Sequence, residues 1–574
     1  MLPSPSRTEN LRTLWPWLPL WGVLALAAIF AHGPMPLYST RTLAVAWEMW
    51  NQHHFLVPYI NGAPYSEKAP LLFWLIHAGW FAFGVSDVWP RVLEVIFGGA
   101  ELVLVSVLAR RLFPQRAWMA SATPWALAAL SFAFLFGLQI MYDVLLAVWT
   151  LAALVCLVPT AGRTAPRWVW FGVCIGLGLL TKGPVMLLHV VFPWLLGPLW
   201  SDHARAHRGA WYGRGVLAVL LGLAMLLAWA LPAGFAGGEA YRHRLFFSQT
   251  AARVIHGVET AEPLQSHARP VLWYVAMLPA LLFPFIAWPR VWVALGALRR
   301  PFEPGLRFAL AWVVPTFIVF SLVRGKQPYY LLPEFGGAML LICAAIAVLR
   351  DRRPRLAGTA WLGTWPLGVG GIAFGVLLFV LPNLVAGNYL HGEWPDAAAP
   401  LSRYFALIFV LLGALLLLRG RGELRRLATA GLIGTFALNA LFTLTLWPRY
   451  DLAPTAHWLG EAQRAGQAIG YLGNYEGQFH FAGRLTQPIT ELRGEGELET
   501  FAQTHPQAII VEHPEKLSAQ AREYALIAQP FRSSWTVTWR AATLVALRRG
   551  ETPPRPTVAP RIYGADDSAP GRTP

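Results

Sequence analysis

Apolar runs long enough to cross a bilayer core, about 17–25 residues each, recur from about residue 14 to about residue 447, separated by short polar loops. This pattern predicts an α-helical polytopic membrane domain. The spans are expected at 14–32, 90–112, 117–136, 142–159, 167–181, 183–200, 214–233, 271–293, 306–323, 328–348, 358–382, 402–418 and 426–447, about thirteen transmembrane helices. One more apolar segment, 71–83, follows Pro70 and is short for a crossing, so it is read as a helix lying along the membrane surface. The first run follows Arg7 and Arg12 in the manner of a signal peptide and is read as a retained anchor. After residue 447 the pattern changes. Strand candidates at 468–472, 478–481, 508–511 and 543–547 alternate with helical stretches at 455–465 and 517–528, which predicts a small α/β domain. A Pro-rich end is expected to stay disordered. The predicted organisation is a membrane domain over 1–447, an α/β domain over 448–549 and a tail over 550–574.

Composition sharpens the class. Of the 574 residues 56% are hydrophobic and 13% charged, with 28 Trp, which excludes a soluble globular chain. The net charge of +16 does not point to nucleic acid, because the basic residues gather in short clusters between apolar runs. Arg110, Arg111 and Arg116, then Arg163 and Arg167, Arg205 to Arg214, Arg299 and Arg300, Arg350 to Arg355, and Arg419 to Arg426 fall in alternate loops, as a cytoplasmic face requires. With the N-terminus inside and an odd number of spans, the α/β domain lies outside. Cys156, Cys174 and Cys343 all fall in predicted spans, so neither a disulfide framework nor a thiol metal site is expected.

On this topology the unusual polar residues sort onto one side. Arg41, Glu67, Lys68, Asp143, Lys182, Arg244, Arg253, His267, Arg324 and Lys326 all come to the external face, where the charge bias predicts few cations. Singly, each could snorkel to anionic head groups. Together they favour a site for a lipid phosphate or pyrophosphate, held by charge-assisted hydrogen bonds. The polar stretch Asn61-Gly-Ala-Pro-Tyr65-Ser-Glu67-Lys68-Ala-Pro70 sets an acid beside a base between apolar segments. If it is extended, Glu67 and Lys68 point to opposite sides, one suited to phosphate and the other to metal, acceptor or structure.

Ala46-Trp-Glu48-Met49, Leu56-Val-Pro-Tyr-Ile-Asn61-Gly62, Pro64-Tyr65-Ser-Glu67-Lys68-Ala-Pro70, Thr181-Lys182-Gly183 and Ser321-Leu-Val-Arg324-Gly-Lys326-Gln-Pro328-Tyr-Tyr330-Leu-Leu-Pro333 occur in that order along nearly the whole membrane region. In this the chain resembles the aminoarabinose transferase and protein O-mannosyltransferase superfamily. The resemblance implies a GT-C fold, with surface helices in a long first external loop and a cavity facing the periplasm. It also implies a sugar donor carried on polyprenyl phosphate, and an acceptor hydroxyl or phosphate on a lipid such as lipid A, a glycan or a protein. On matched positions Lys68 and Arg41 hold the donor phosphate, Lys182 lines the same cavity, and Lys326 and Tyr330 stand at its rim. Arg253 and Arg324 are added as donor-phosphate candidates, and Tyr38, Tyr65 and His267 as cavity residues. Glu67 matches a carboxylate that contributes to a metal site in some relatives, and Asp143 an acidic position in the second external loop.

Two departures bear on the chemistry. Relatives open the first loop with an Asp-Glu-Thr-Arg type sequence whose first acid is the favoured general base; the aligned stretch here is Tyr38-Ser39-Thr40-Arg41. Where relatives supply metal-binding histidines, this chain reads Phe247-Ser-Gln249-Thr-Ala-Ala-Arg253, and Gln249 replaces imidazole poorly. No zinc is therefore predicted, and a divalent cation stays open as cofactor. An ionised phosphate acceptor needs no base, whereas a hydroxyl acceptor needs another carboxylate. Asp143 is the leading substitute. Glu94 is the less expected one: with Glu101 it lies on one face of a predicted span, and the alternative is a buried pair that locks helices. In the α/β domain, Asn474-Tyr475-Glu-Gly-Gln478-Phe-His480-Phe481 carries aromatics and amides suited to sugar, against the plainer alternative of a packed strand.

The expected activity is that of a monomeric glycosyltransferase of the bacterial inner membrane with a periplasmic active site. Transfer at an anomeric carbon sheds an anionic leaving group and develops positive charge on the sugar, so cations are needed at the phosphate and a carboxylate at the nucleophile. A catalytically silent relative that binds or moves lipid-linked sugars is the alternative, favoured by Tyr38. An ion-coupled transporter is a third, and the chain lacks the repeated halves it predicts.

Overall fold

The computed structural model describes residues 18–160, 162, 165–251, 268–420, 422–556 and 559–563. The chain forms two compact units, one drawn from Met1–Ala31, Ser66–Tyr389 and Ala399–Ala440, the other from His32–Tyr65, Leu390–Ala398 and Leu441–Pro574. Residues 32–65 thus group with the C-terminal domain, which a boundary drawn at residue 447 does not anticipate.

The first unit is helical. Among the described residues seven helices are long and apolar enough to cross a membrane: Val88–Leu112, Arg208–Ala236, Pro304–Leu322, Pro328–Arg352, Trp365–Ala386, Glu393–Leu417 and Glu423–Thr445. Shorter apolar helices accompany them, including Leu18–Ala31 and Leu71–Phe83. The elements that matter for the site are α1 (Val88–Leu112), α2 (Tyr142–Leu157), α3 (Trp168–Lys182), α4 (Val185–Leu195), α5 (Pro304–Leu322) and α6 (Phe335–Arg352), the last preceded by a 3₁₀ stretch over Pro328–Glu334.

Several expected spans are interrupted. The run 117–136 splits into Met119–Ala129 and Ser131–Phe136, because Leu130 adopts an extended conformation (ψ 108°). The run 271–293 becomes Trp273–Leu281, a 3₁₀ turn at Phe285–Ala287 and Pro289–Gly296; Pro284 and Pro289 offer no N–H to continue the preceding turns. Apolar composition alone does not register such breaks.

α3 packs on Arg208–Ala236 through small residues. A Cβ on Gly172 would come within 2.6 Å of the Ala218 carbonyl oxygen, and one on Gly222 within 2.7 Å of Ile175 Cγ2. Close backbone approach of this kind holds helices together where no hydrophobic effect separates lipid from protein. It also fixes the axis of the helix that ends in Lys182.

The second unit holds a short hairpin, β1 (Tyr59–Ile60) with β2 (Ala63–Pro64), and a six-stranded sheet. The sheet comprises β3 (Ile469–Leu472), β4 (Thr490–Leu492), β5 (Ile509–Glu512), β6 (Ile527–Phe531), β7 (Ser534–Arg540) and β8 (Arg561–Ile562), in the order β4-β3-β5-β7-β6-β8. The β4-β3-β5 half is parallel, and the β6-β7 hairpin joins it antiparallel to β5. Alternation along β5 sends Ile510 into one core with Leu498, Val537 and Leu544, and Ile509 and Val511 into another with Leu459 and Phe479.

Two strand expectations fail here. His480–Gly483 and Ala541–Arg548 are helices. In the second, the buried residues Ala541, Leu544 and Val545 follow the i, i+3, i+4 spacing of a helix rather than alternation. The stretch read as a helix over 517–528 is helical at Ala519–Tyr524 and then becomes β6. The tail is not wholly without structure, since β8 pairs parallel with β6.

The first-loop segment is tied into this unit by specific bonds. Asn61 accepts from the Ile489 N–H (2.7 Å) and donates to its carbonyl (2.9 Å), and the Trp47 indole donates to the Leu485 carbonyl (2.7 Å).

Candidate active site

α2 begins where Met141, in extended conformation (φ −131°, ψ 134°), turns into the helix, and Asp143 falls in its first turn. A carboxylate there complements the positive end of the helix dipole. α3 ends in Lys182, a cation at the negative end, and Gly183 closes it with φ +68°, a conformation that favours glycine. The two helices run antiparallel, so the acid of one meets the base of the other.

Lys182 Nζ donates to Asp143 Oδ1, with side-chain exposures of 14% and 0%. The second oxygen, Oδ2, is buried without a hydrogen-bond partner among the described residues. The ammonium also stands 4.4 Å from the centre of the Tyr330 ring and 5.7 Å from that of Tyr329. Lys68 Nζ lies 5.7 Å from the Tyr142 ring, next to Asp143 in the chain. Lys68, Tyr142, Asp143, Lys182, Tyr329 and Tyr330 therefore form one constellation of two lysines, one buried carboxylate and three phenol rings. Tyr142 and Tyr329 had no assigned role in the sequence reading, although both adjoin assigned residues.

The remaining candidates disperse. Glu94 is fully buried, and its Oε1 accepts the Met141 N–H at 3.3 Å. This contact anchors the start of α2. No hydrogen bond joins it to Glu101, which lines a cavity of about 40 Å³ with Trp21 and Phe134. Lys326 is buried and donates to the carbonyl oxygens of Arg269 (3.0 Å) and Val323. It staples two backbone segments and is not open to a ligand as it stands. Arg324 is exposed, and Glu67 is half-buried beside Lys68. Arg253 and His267 lie outside the described residues.

Arg41, Tyr38 and Tyr65 belong to the second unit. Arg41, on the helix Tyr38–Asn51, makes an ion pair with Glu476, the two side chains 31% and 40% exposed. Tyr65 is buried and its N–H donates to the Pro58 carbonyl at 2.7 Å. On the same helix as Arg41, burial pushes the Glu48 carboxyl above its ordinary range, while the Gly62 N–H, donating at 2.7 Å, draws it back. The 474–481 stretch does not present its rings to sugar: Tyr475, Gln478, Phe479 and His480 are buried, with the Tyr475 hydroxyl 2.8 Å from His480 Nδ1. A metal at Glu67 would need further donors, and among the described residues no three His, Cys, Asp or Glu side chains gather.

Residues 67–229, which contain Lys68, Asp143 and Lys182, match the family described as dolichyl-phosphate-mannose-protein mannosyltransferase. Over 94% of its length the chain shares the fold of the crystal structure of ArnT from Cupriavidus metallidurans bound to undecaprenyl phosphate, covering 99% of that chain with a TM-score of 0.69 at 20% identity. The chain is similar to the ArnT-like GT-C proteins. Among ArnT-like proteins it is 28% identical, over 420 residues, to the undecaprenyl phosphate-alpha-4-amino-4-deoxy-L-arabinose arabinosyl transferase of Edwardsiella ictaluri, an alignment covering 69% of this chain and 71% of that one. It is 29% identical over 388 residues to the enzyme of the same name from Pseudomonas paraeruginosa, covering 65% of this chain and 66% of that relative, just under two thirds. The family match begins at Glu67 and thus takes in the polar stretch only from its acid-base pair onward.

Proposed function

We propose that this ArnT-like chain is a membrane glycosyltransferase that moves a sugar from a polyprenyl phosphate donor to an envelope acceptor. The observation that carries the reading is the constellation around the Lys182–Asp143 pair, with Lys68 on the neighbouring Tyr142 ring. The names of the curated relatives, and undecaprenyl phosphate in the Cupriavidus metallidurans structure, support the donor class.

In this reading Lys68 binds the donor phosphate. Lys182, its charge balanced by Asp143, adds positive potential and lines the cavity with Tyr329 and Tyr330. The bond from the anomeric carbon to the phosphate oxygen breaks and its electron pair leaves on the phosphate; the acceptor oxygen forms the new bond. A hydroxyl acceptor gives its proton to a carboxylate, whereas an ionised phosphate acceptor has none to give. Asp143, held by Lys182 and fully buried, is better suited to orienting the lysine than to taking that proton. This favours a phosphate-type acceptor, such as lipid A carries, over a glycan or protein hydroxyl. Glu67 is the carboxylate left for a hydroxyl. The alternation of basic loops supports an inner-membrane protein acting at the periplasmic face.

The test pairs mass spectrometry of polyprenyl-linked sugars and envelope glycans in cells with and without the protein with the Lys68→Ala variant. Transfer predicts accumulation of one lipid-linked sugar and its loss from one acceptor. Lys68→Ala should raise the donor KM about ten- to a hundredfold, the loss of one or two charge-assisted bonds, with the thermal midpoint unchanged. If neither donor nor acceptor pools change while the purified protein still binds undecaprenyl phosphate, the silent-binder reading replaces this one.

A further inference from the structure

The Lys182–Tyr330 contact joins the end of α3 to the 3₁₀ stretch Pro328–Glu334, and a second, deeper contact joins the same two regions. α4 starts at Val185, three residues beyond Lys182, and carries His189; Glu334 closes the 3₁₀ stretch that carries Tyr329 and Tyr330. His189 Nδ1 lies 2.7 Å from Glu334 Oε1, and the two residues are only 0% and 3% exposed. The imidazole stacks on Phe320 of α5, centroids 5.1 Å apart and planes 27° from parallel. Neither His189 Nε2 nor Glu334 Oε2 has a hydrogen-bond partner among the described residues.

Stability is a poor explanation for such a pair. Removing these groups from water is costly, one hydrogen bond returns only part of that, and apolar residues of similar volume commonly hold helices as well or better. A polar pair supplies register instead. A bond between one nitrogen and one oxygen fixes how far α4 and the 3₁₀ stretch can slide past each other, whereas apolar packing tolerates several arrangements. Because Tyr330 lies four residues before Glu334, that register also decides where the ring stands against Lys182.

We propose that His189 and Glu334 form a positioning pair that sets Tyr330 against Lys182 and thereby the affinity for the donor phosphate. This rests on the reading of the Lys182 constellation as a polyprenyl phosphate site. The test uses the full chain in nanodiscs, with undecaprenyl phosphate as the binding probe and donor KM and kcat as the kinetic readout. The variants are Glu334→Gln, which keeps a hydrogen-bonding oxygen, and the double substitution His189→Leu with Glu334→Leu, which leaves no buried polar group unpaired.

The double variant should unfold at or above the wild-type midpoint, yet bind undecaprenyl phosphate about tenfold more weakly and show a matching rise in donor KM with kcat retained. Glu334→Gln should stay within about threefold of wild type. A double variant that binds as wild type does overturns the proposal, because the pair is then structural only. So does Glu334→Gln falling as far as the double variant, since charge rather than register would then be at work. If wild-type protein itself neither binds the lipid nor transfers sugar, the functional reading falls, a result distinct from an unchanged double variant on an active wild type.

Discussion

The helical unit and the sheet unit each join a basic side chain to a carboxylate, under opposite conditions. Lys182 and Asp143 meet between the ends of two packed helices, the acid wholly buried and the base nearly so. Arg41 and Glu476 meet with about a third of each side chain in contact with solvent. In the first case neither partner could be left alone without stranding a charge or a proton in a poor dielectric. In the second, water screens each group, and the pair contributes about 0–1 kcal/mol. The buried pair is thus committed to one geometry, while the half-buried pair is partly screened by solvent.

Breaking the buried pair from one side should have the largest effect. Lys182→Met leaves Asp143 buried without its cation, and we expect a loss of about 3–5 kcal/mol, read as thermal unfolding in detergent, together with loss of transfer. Adding Asp143→Asn should recover much of the stability and none of the transfer. Recovery of both would mean that the pair is only structural.

A test of burial within the sheet unit comes next. His480 is buried and His513 half-buried, neither paired with a carboxylate, and desolvation holds each imidazole down to about 4. The unfolded chain, with histidines near 6.5, binds more protons than the folded one between these values, so stability is complete above about pH 6.5 and falls as pH drops toward about 4. Each ring should cost about 2 kcal/mol between about pH 7.5 and about pH 5. Hydrogen exchange of residues 468–540 in the full protein, corrected for intrinsic rates, reads this directly; flat protection across that range would show that neither ring is held neutral.

The smallest effect is expected at the half-buried pair. Glu476→Gln should change the unfolding free energy by less than about 1 kcal/mol. A larger change would place the Arg41–Glu476 contact in the same class as the buried one and remove the contrast.

Legibility in the sequence followed the range of the interaction. Lys68, Asp143 and Lys182 could be singled out because each is a charge where apolar composition and loop bias leave no ordinary reason for one. That Asp143 meets Lys182 also has a local basis, since consecutive antiparallel helices bring the start of one to the end of the next. The contacts of Lys326 are illegible for the opposite reason: its acceptors are backbone carbonyls, which every residue carries and no pattern marks. His189 and Glu334, 145 positions apart, gave no signal beyond being polar in apolar surroundings. The attachment of residues 32–65 to the sheet unit was equally hidden, because Asn61 finds its partner at Ile489, 428 positions away. Among short apolar runs, 543–547 reads as a strand, and only burial shows that it obeys the helical periodicity of Ala541–Arg548.

Gly183 makes α3 a measuring rod. Its left-handed backbone ends the helix at a defined residue, while the glycine contacts with Arg208–Ala236 pin the rod part-way along its length. Lys182 therefore takes its bearing from a count of residues rather than from its own rotamer. One residue inserted between Gly176 and Lys182 would swing the ammonium by about 100° around the axis and advance it by about 1.5 Å, turning it away from Asp143 without altering a single site residue.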